Sequence, residues 1–526
     1  MNRALGPSKD SYDVIVVGAG LAGLTCGALL AKDGMSVLVV DQRPVPGGVC
    51  HSYQRGGFTF DVGPHLLSGC APGWVVHSLL TSLGVEGEAE FIPVNPLARA
   101  IFPNYEVDIP ANYQSFTELL AGRFPQEKQR LLMLFREMGQ MYADVDALPA
   151  SFSLWDYLKV PVNHPIFTKY PSKTFAQMVD QFLLDDELKS VVSALWVYFG
   201  LPPSKISAVF WTVVMMSYFV GGGFYPRGGI GRVAQALAKG LENQGGELLL
   251  NTMAERIMVE DRRAVGVELV DVSARWLPDG RLAGQEAIGE RFVVTADTVV
   301  SGADARLTFE RLVGEEHLPS SYRQALRRME PSLSLIKVAL GVDMDLESAG
   351  VTHHDTIFFD TYDMDQVYHR MRAGLPEGPC DMTVPTVTDP TLAPSGQHCL
   401  YLWNYVPFHA TENWQEEGPP IAARMISWAG QHIPGLEEHI VVQDVTTPET
   451  MQRYVLTTEG APYGWAFTPG QMGFNRLQPR TPIKGLFLTG HWTTPGAGVA
   501  GVVMSGQRTV EIIRAREGFQ LWRKSA

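Results

Sequence analysis

Gly18-Ala-Gly20-Leu-Ala-Gly23 is the stretch whose residue types and spacing speak most directly of chemistry. It follows Val14-Ile-Val-Val17, a β-branched run suited to a strand buried on both faces. Glycine at these positions lets the chain turn tightly at Gly18, brings bare backbone up to a pyrophosphate at Gly20, and packs a helix closely on the strand at Gly23. The helix that begins there offers free N–H groups and a positive dipole end to phosphate. Asp41 closes a second strand, Ser36-Val-Leu-Val-Val, 18 residues past Gly23. A carboxylate at that point can accept hydrogen bonds from a ribose. Strand, glycine turn, helix, strand and terminal acid together predict a dinucleotide site.

Further groups fall at corresponding places along the chain. Gln42 and the pair Gly47-Gly48 follow the second strand, where permissive backbone suits another close approach to a cofactor. Near the C-terminus, Gly485-Leu-Phe-Leu-Thr-Gly490 leads through His491 and Gly496 to Gly498-Val499. That is a strand, a glycine-rich loop and a helix start, hence a second phosphate- or ring-facing N-terminus. Lys337 stands in the strand-like Ser334-Leu-Ile-Lys-Val, and His65 and His491 each follow a glycine block. There is no G-x-S-x-G elbow and no metal-ligand spacing, so neither acyl-transfer nor metal chemistry is indicated.

The elements that would position these groups need a large chain, and 526 residues with 45% apolar and 19% charged content allow two domains. A net charge of −14 argues against nucleic acid and against a broad polybasic attachment to lipid. Five cysteines, scattered and without C-x-x-C, fit a reducing compartment. With no apolar signal core at the start, the expected location is cytoplasmic. The 21 residues Ile206–Pro226 carry no charge, but Gly221-Gly222-Gly223 breaks them. About 15 residues remain, which is a buried helix lining an apolar cavity rather than a membrane span. From about residue 100 to 225 helical patterns rich in Trp, Tyr, Phe and Met take over, suggesting a large apolar ligand. A hairpin is expected around Asp261-Arg-Arg, between Ile257–Glu260 and Ala264–Val270. The expected architecture is α/β. Residues 11–100, 226–305 and 476–526 form a discontinuous Rossmann-type domain, and 101–225 with 306–475 form a mixed-sheet and helical substrate domain.

In the blocks Asp13–Asp41, Pro46–Gly63, Tyr225–Gly245, Ala254–Val270, Val384–Gly396 and Gly485–Gly506, the chain resembles the FAD-dependent phytoene desaturase and carotenoid isomerase family. Retinol saturases belong to that group, and flavin amine oxidases are more distant relatives. The resemblance implies non-covalent FAD. Gly18, Gly20, Gly23, Asp41 and Gln42 would hold its ADP half, and Gly47 and Gly48 would lie beside the pyrophosphate. Ile257 would face the adenine, and Gly490, Gly498 and Val499 would approach ribitol and pyrophosphate. His491 stands where many relatives carry an acid, which alters polarity near the ribityl chain.

The implied chemistry is hydride exchange between a long apolar polyene or isoprenoid and flavin N5. It leaves open desaturation, saturation and cis–trans isomerisation, with Val384–Gly396 closest to the isomerase and saturase branch. Tyr225 would stand on the cavity wall nearest the ring. Lys337 has two readings: a flavin-side lysine like that of amine oxidases, or a lysine on the outward polar face of an alternating strand. His65 and His491 are candidates for the flavin's neighbourhood, neither assigned as a general base. The second function class is a flavin amine or amino-acid oxidase releasing hydrogen peroxide. Substrates of this kind also imply a weak apolar docking surface on lipid, and the oligomeric state stays open.

Overall fold

A computed structural model of the chain describes residues 6–148, 160, 162–275, 289–374 and 376–524. The β-branched runs at 14–17 and 37–40 pair in parallel, Val14 with Val37 through Val17 with Val40, and every one of these eight residues is buried. They centre a seven-stranded sheet in the order Thr252–Glu260, Arg263–Asp271, Arg291–Ser301, Ser11–Val17, Val37–Val40 and Glu247–Leu249. Leu486–Leu488 runs parallel beside the end of Arg291–Ser301. The hairpin turns at Asp261 and Arg262, both with positive φ (45° and 59°). Its strands are longer than the alternation alone delimits.

Helix Leu21–Lys32 packs on this sheet at very short range. A Cβ on Gly23 would lie 2.0 Å from the Gly18 carbonyl oxygen, so glycine is required by sterics alone. Small residues along the helix let the C-terminal helix Val499–Lys524 and helix Gly231–Asn243 close over it in one apolar cluster.

The second sheet has the order Ile440–Thr446, Ser334–Val342, His398–Val406, Asp381–Thr383, Asp355–Phe358, Ala98–Phe102 and Tyr105–Ile109. The boundary drawn between residues 100 and 101 therefore cuts through Ala98–Phe102, a strand of this sheet. Helices Lys128–Asp146, Asp186–Ser193 and Ala208–Gly221 cover it together with short 3-10 turns. Within the uncharged stretch, helix Ala208–Gly221 is 14 residues long and ends at Gly222 (φ 85°). Among the described residues, no helix is long and apolar enough to cross a membrane. Residues 149–159 of the helical region lie outside those described.

Asp61, fully buried at the end of strand Phe58–Asp61, ties the two sheets together. Its Oδ1 accepts from the Ser52 hydroxyl at 2.6 Å and the Ile230 N–H at 2.9 Å, and its Oδ2 accepts from the Tyr225 hydroxyl at 2.5 Å. From the second sheet, the Lys337 ammonium donates to its carbonyl, and its own N–H donates to the Tyr401 hydroxyl at 2.9 Å. With three donors on one carboxylate, Asp61→Asn turns an amide N–H toward at least one of them. We expect about 1–3 kcal/mol of destabilisation, read as a melting temperature lowered by a few degrees. An unchanged melting curve contradicts the hub.

Candidate active site

One cavity of about 2010 Å³ runs from the glycine turn of the first sheet into the helical layer of the second. Ligand pockets for one small molecule span roughly 300–1,000 Å³, so this volume has room for a dinucleotide and a second, large ligand.

At the first end, Gly18, Gly20, Gly23, Asp41, Gln42, Gly47, Gly48, Gly490, Gly498 and Val499 all line the cavity. Two helix N-termini meet there. Leu21–Lys32 begins after Gly20 with no side-chain cap and no acid in its first turn, and Val499–Lys524 begins after Gly498. A Cβ at Gly20 or at Gly498 would meet nothing within 4 Å, so open space stands where a ligand must approach the backbone. Asp41 Oδ2 accepts from the Ala19 N–H at 2.8 Å and Oδ1 from the Arg43 N–H at 2.9 Å. Each carboxylate oxygen retains capacity for another donor. The Arg43 guanidinium lies 3.5 Å from Asp41, donates to the Gly48 carbonyl, and leaves its buried Nη2 with no partner among the described residues. Uncapped N-termini, a free acceptor and an orphaned cationic N–H suit a diphosphate and a ribose, so the residues present fit FAD.

Three anticipated residues stand elsewhere. Ile257 is fully buried in the core under the hairpin, and Thr252, Met253, Ala254 and Glu255 line the cavity instead. A bulge between Ala254 and Arg256 shifts the strand's facing there, which strict alternation does not foresee. Tyr225 does not wall the cavity; its hydroxyl is spent on Asp61. Lys337 fits neither of its readings. All nine residues of Ser334–Val342 are buried, so the strand has no outward polar face, and Lys337 does not line the cavity either. Its ammonium donates to the Asp61 and Val62 carbonyls and sits 4.7 Å from the Tyr401 ring centroid and 4.8 Å from that of Trp403. Burial lowers it to about 8, against the pull of Asp61. It holds the backbone that leads into Gly63, Pro64 and His65, which do line the cavity.

His65 stands among groups the sequence did not single out. Its Nε2 lies 3.2 Å from Asp355 Oδ2 and 3.7 Å from Asp381 Oδ2, within ion-pair range but not aligned as a hydrogen bond. Tyr198 donates to Asp355 at 3.1 Å. Burial works against a charge on His65, but the Asp355 and Asp381 carboxylates outweigh it and raise the imidazole to about 9. His491 lines the cavity in the opposite state. Burial, aided by Arg476, lowers it to about 3 and keeps it neutral. Asp355 and Asp381 lie some 290 and 316 residues from His65, so no local spacing links them. Only two neighbouring strands of the second sheet bring them together.

The cavity is also walled by Tyr142, Val145, Phe199, Val209, Phe210, Val213, Val214 and Tyr218, and by Trp403, Tyr405 and Tyr463 from later in the chain. Rings brace one another here: Phe210 stacks on Phe467 at 3.8 Å, and Phe199 meets Tyr463 at 4.9 Å.

Comparison with known proteins agrees with this geometry. The family described as flavin containing amine oxidoreductase matches residues 21–514. A chloroplastic prolycopene isomerase of Daucus carota is 28% identical, covering 98% of this chain and 82% of its own length. A lycopene-forming phytoene desaturase of Pseudescherichia vulneris is 27% identical, over 95% of this chain and 98% of its own. The crystal structure of an oxidoreductase from Methanosarcina mazei superposes with a TM-score of 0.64 at 19% identity, covering 95% of this chain and 99% of that one.

Because Lys337 supports the wall from behind, Lys337→Met should retain bound flavin while the buried Asp61 carbonyl and the partly buried Val62 carbonyl lose their donor. Such orphaned acceptors cost about 1–3 kcal/mol. A melting scan and the flavin-to-protein absorbance ratio check this together. Lost flavin at an unchanged melting temperature places the ammonium on the cofactor instead.

Proposed function

This chain belongs to the flavin containing amine oxidoreductase family, and we propose that its substrate is a long apolar polyene or isoprenoid of the carotenoid type. The protein is an FAD-dependent oxidoreductase. The observation that carries the substrate reading is the continuity of the cavity: the dinucleotide cradle opens without interruption into a chamber walled by aromatic and aliphatic side chains. Relatives matched over nearly the whole chain are named for prolycopene and phytoene, which favours this reading over an amine oxidase.

In this reading Gly20 and Gly498 present helix N-termini to the FAD diphosphate. Asp41 accepts from the ribose, and Arg43 Nη2 supplies a charge-assisted hydrogen bond. Bound FAD would supply two-electron chemistry through the N5 edge of its ring. The chain does the rest by placement. Phe199, Phe210 and Tyr463 hold a flat conjugated chain by its faces, and the apolar wall keeps water from the reacting carbons. Val220 and Met504 line the same cavity and are exposed at the surface, an apolar rim suited to drawing substrate from a lipid surface. Five free, buried cysteines fit a cytoplasmic location.

The decisive experiment offers the FAD-loaded protein a carotenoid in lipid vesicles and, separately, a panel of small amines. Polyene product without amine-dependent peroxide is expected; peroxide from amines with no polyene product overturns the reading. Asp41→Ala should weaken FAD retention about tenfold or more, as loss of a hydrogen bond to a charged group costs roughly 1.5–3 kcal/mol, measured as flavin lost on gel filtration. Val213→Trp should leave flavin content unchanged but lower kcat/KM for a long polyene about five- to 150-fold, since overpacking costs roughly 1–3 kcal/mol.

A further inference from the structure

His65, Asp355 and Asp381 meet where the substrate chamber begins, with the Tyr198 ring 5.3 Å and the Trp403 ring 5.5 Å from the imidazole. His65, Asp381, Tyr198 and Trp403 line the cavity, while Asp355 lies fully buried behind them. The ligating-type atoms of the three residues all lie within 4.8 Å of one another. Asp355 Oδ1 and Asp381 Oδ1 are buried and have no hydrogen-bond partner among the described residues.

The charge balance of this cluster is unequal. One imidazolium can neutralise one carboxylate, and Asp355 is nearer, with Tyr198 also donating to it. Among the described residues, the surrounding groups bring no second cation. His354, which donates to the His65 carbonyl at 2.9 Å, is kept from protonating by burial. The Lys337 ammonium is turned to the Asp61 and Val62 carbonyls with the Trp403 ring beside it, and Asp61 is occupied by Ser52, Tyr225 and Ile230. A second buried carboxylate without a cation keeps its proton.

We propose that Asp381 is the acid of this site, giving a proton to a carbon of the bound polyene and taking one back, with the His65–Asp355 ion pair positioning it. The proposal rests on the polyene reading above and selects cis–trans isomerisation within it. Burial, with the Asp355 charge, pushes Asp381 well above the ordinary carboxylate range, while the imidazolium holds Asp355 below it. The step balances without an oxidant. The Asp381 O–H bond breaks as the π pair of one C=C forms a C–H bond, and positive charge spreads along the conjugated chain. The former double bond, now single, rotates. A C–H bond at the protonated carbon then breaks, its pair restores the π bond, and the proton returns to Asp381. While Asp381 is anionic, the adjacent imidazolium offsets its charge, and the apolar wall keeps water from quenching the cation.

The test uses the FAD-loaded holoenzyme and a cis carotenoid in phosphatidylcholine vesicles made up in D2O. The expected product is the isomer carrying carbon-bound deuterium. Asp381→Asn should lower the rate about a hundredfold, within the usual range for general acid–base catalysis, at unchanged flavin content. His65→Gln should lower it less and move the pH profile. Infrared difference spectra of wild type against Asp381→Asn at neutral pH give a readout that needs no turnover: a protonated-carboxyl C=O band is expected in wild type only. A missing band, isomer free of deuterium, a full rate in Asp381→Asn, or a stoichiometric divalent cation held by wild type and lost in the variant each overturns the proton step alone. No turnover of the carotenoid while the band persists overturns the polyene reading, and the step with it.

Discussion

Burying a carboxylate and an ammonium in one junction is costly unless their polar atoms find partners, and Asp61 and Lys337 are held where each finds them. Asp61 collects donors from the Ser52 strand, the Gly223–Pro226 strand and the start of helix Gly231–Asn243. Lys337 and Tyr401 reach it from the second sheet. Burial pushes its carboxylate up, only partly offset by those hydrogen bonds, and burial pushes Lys337 down against the pull of Asp61. The two sheets are thereby fixed relative to each other across the cavity they share. The segment after Asp61 becomes a rigid wall that carries His65 to the aspartates of the second sheet.

That rigidity explains the division of labour in the cavity. The cofactor half works through backbone: glycines that leave space and helix ends that leave N–H groups unpaired. The substrate half works through side chains, with stacked and edge-on rings filling what would otherwise be voids. A hydrophobic chamber binds a polyene without directional contacts, so it can hold a long chain while leaving room for a bond to rotate. Polar groups enter that chamber at a specific place, where strands Asp355–Phe358 and Asp381–Thr383 end beside the His65 turn. Two histidines on the same cavity illustrate how neighbours outrank residue type. His65 is held charged by two carboxylates, and His491, beside Arg476, is held neutral.

The sequence by itself determined the glycine turns and the terminal acid of the dinucleotide half. Its requirements are local: Gly23 must be glycine because of an oxygen five residues earlier, and Asp41 must end a strand that starts within a helix's length of the first. Spacing carries such constraints in full. Helix Ala208–Gly221 was legible for the same reason, since glycines stop it and the absence of charge buries it.

Tertiary structure decided what depends on contact between distant strands. Alternation placed Lys337 in a strand but could not say that both faces of the sheet are covered, so its burial was invisible. Ile257 was displaced by a single bulge, and Tyr225 was drawn from the cavity by an acid 164 residues away. The Asp355–Asp381–His65 cluster has no sequence signature at all, because a strand pairing sets its geometry and burial sets its charge. Backbone chemistry is written in short-range spacing. Side-chain electrostatics depends on which groups the fold encloses together, and that is settled only when the two sheets close.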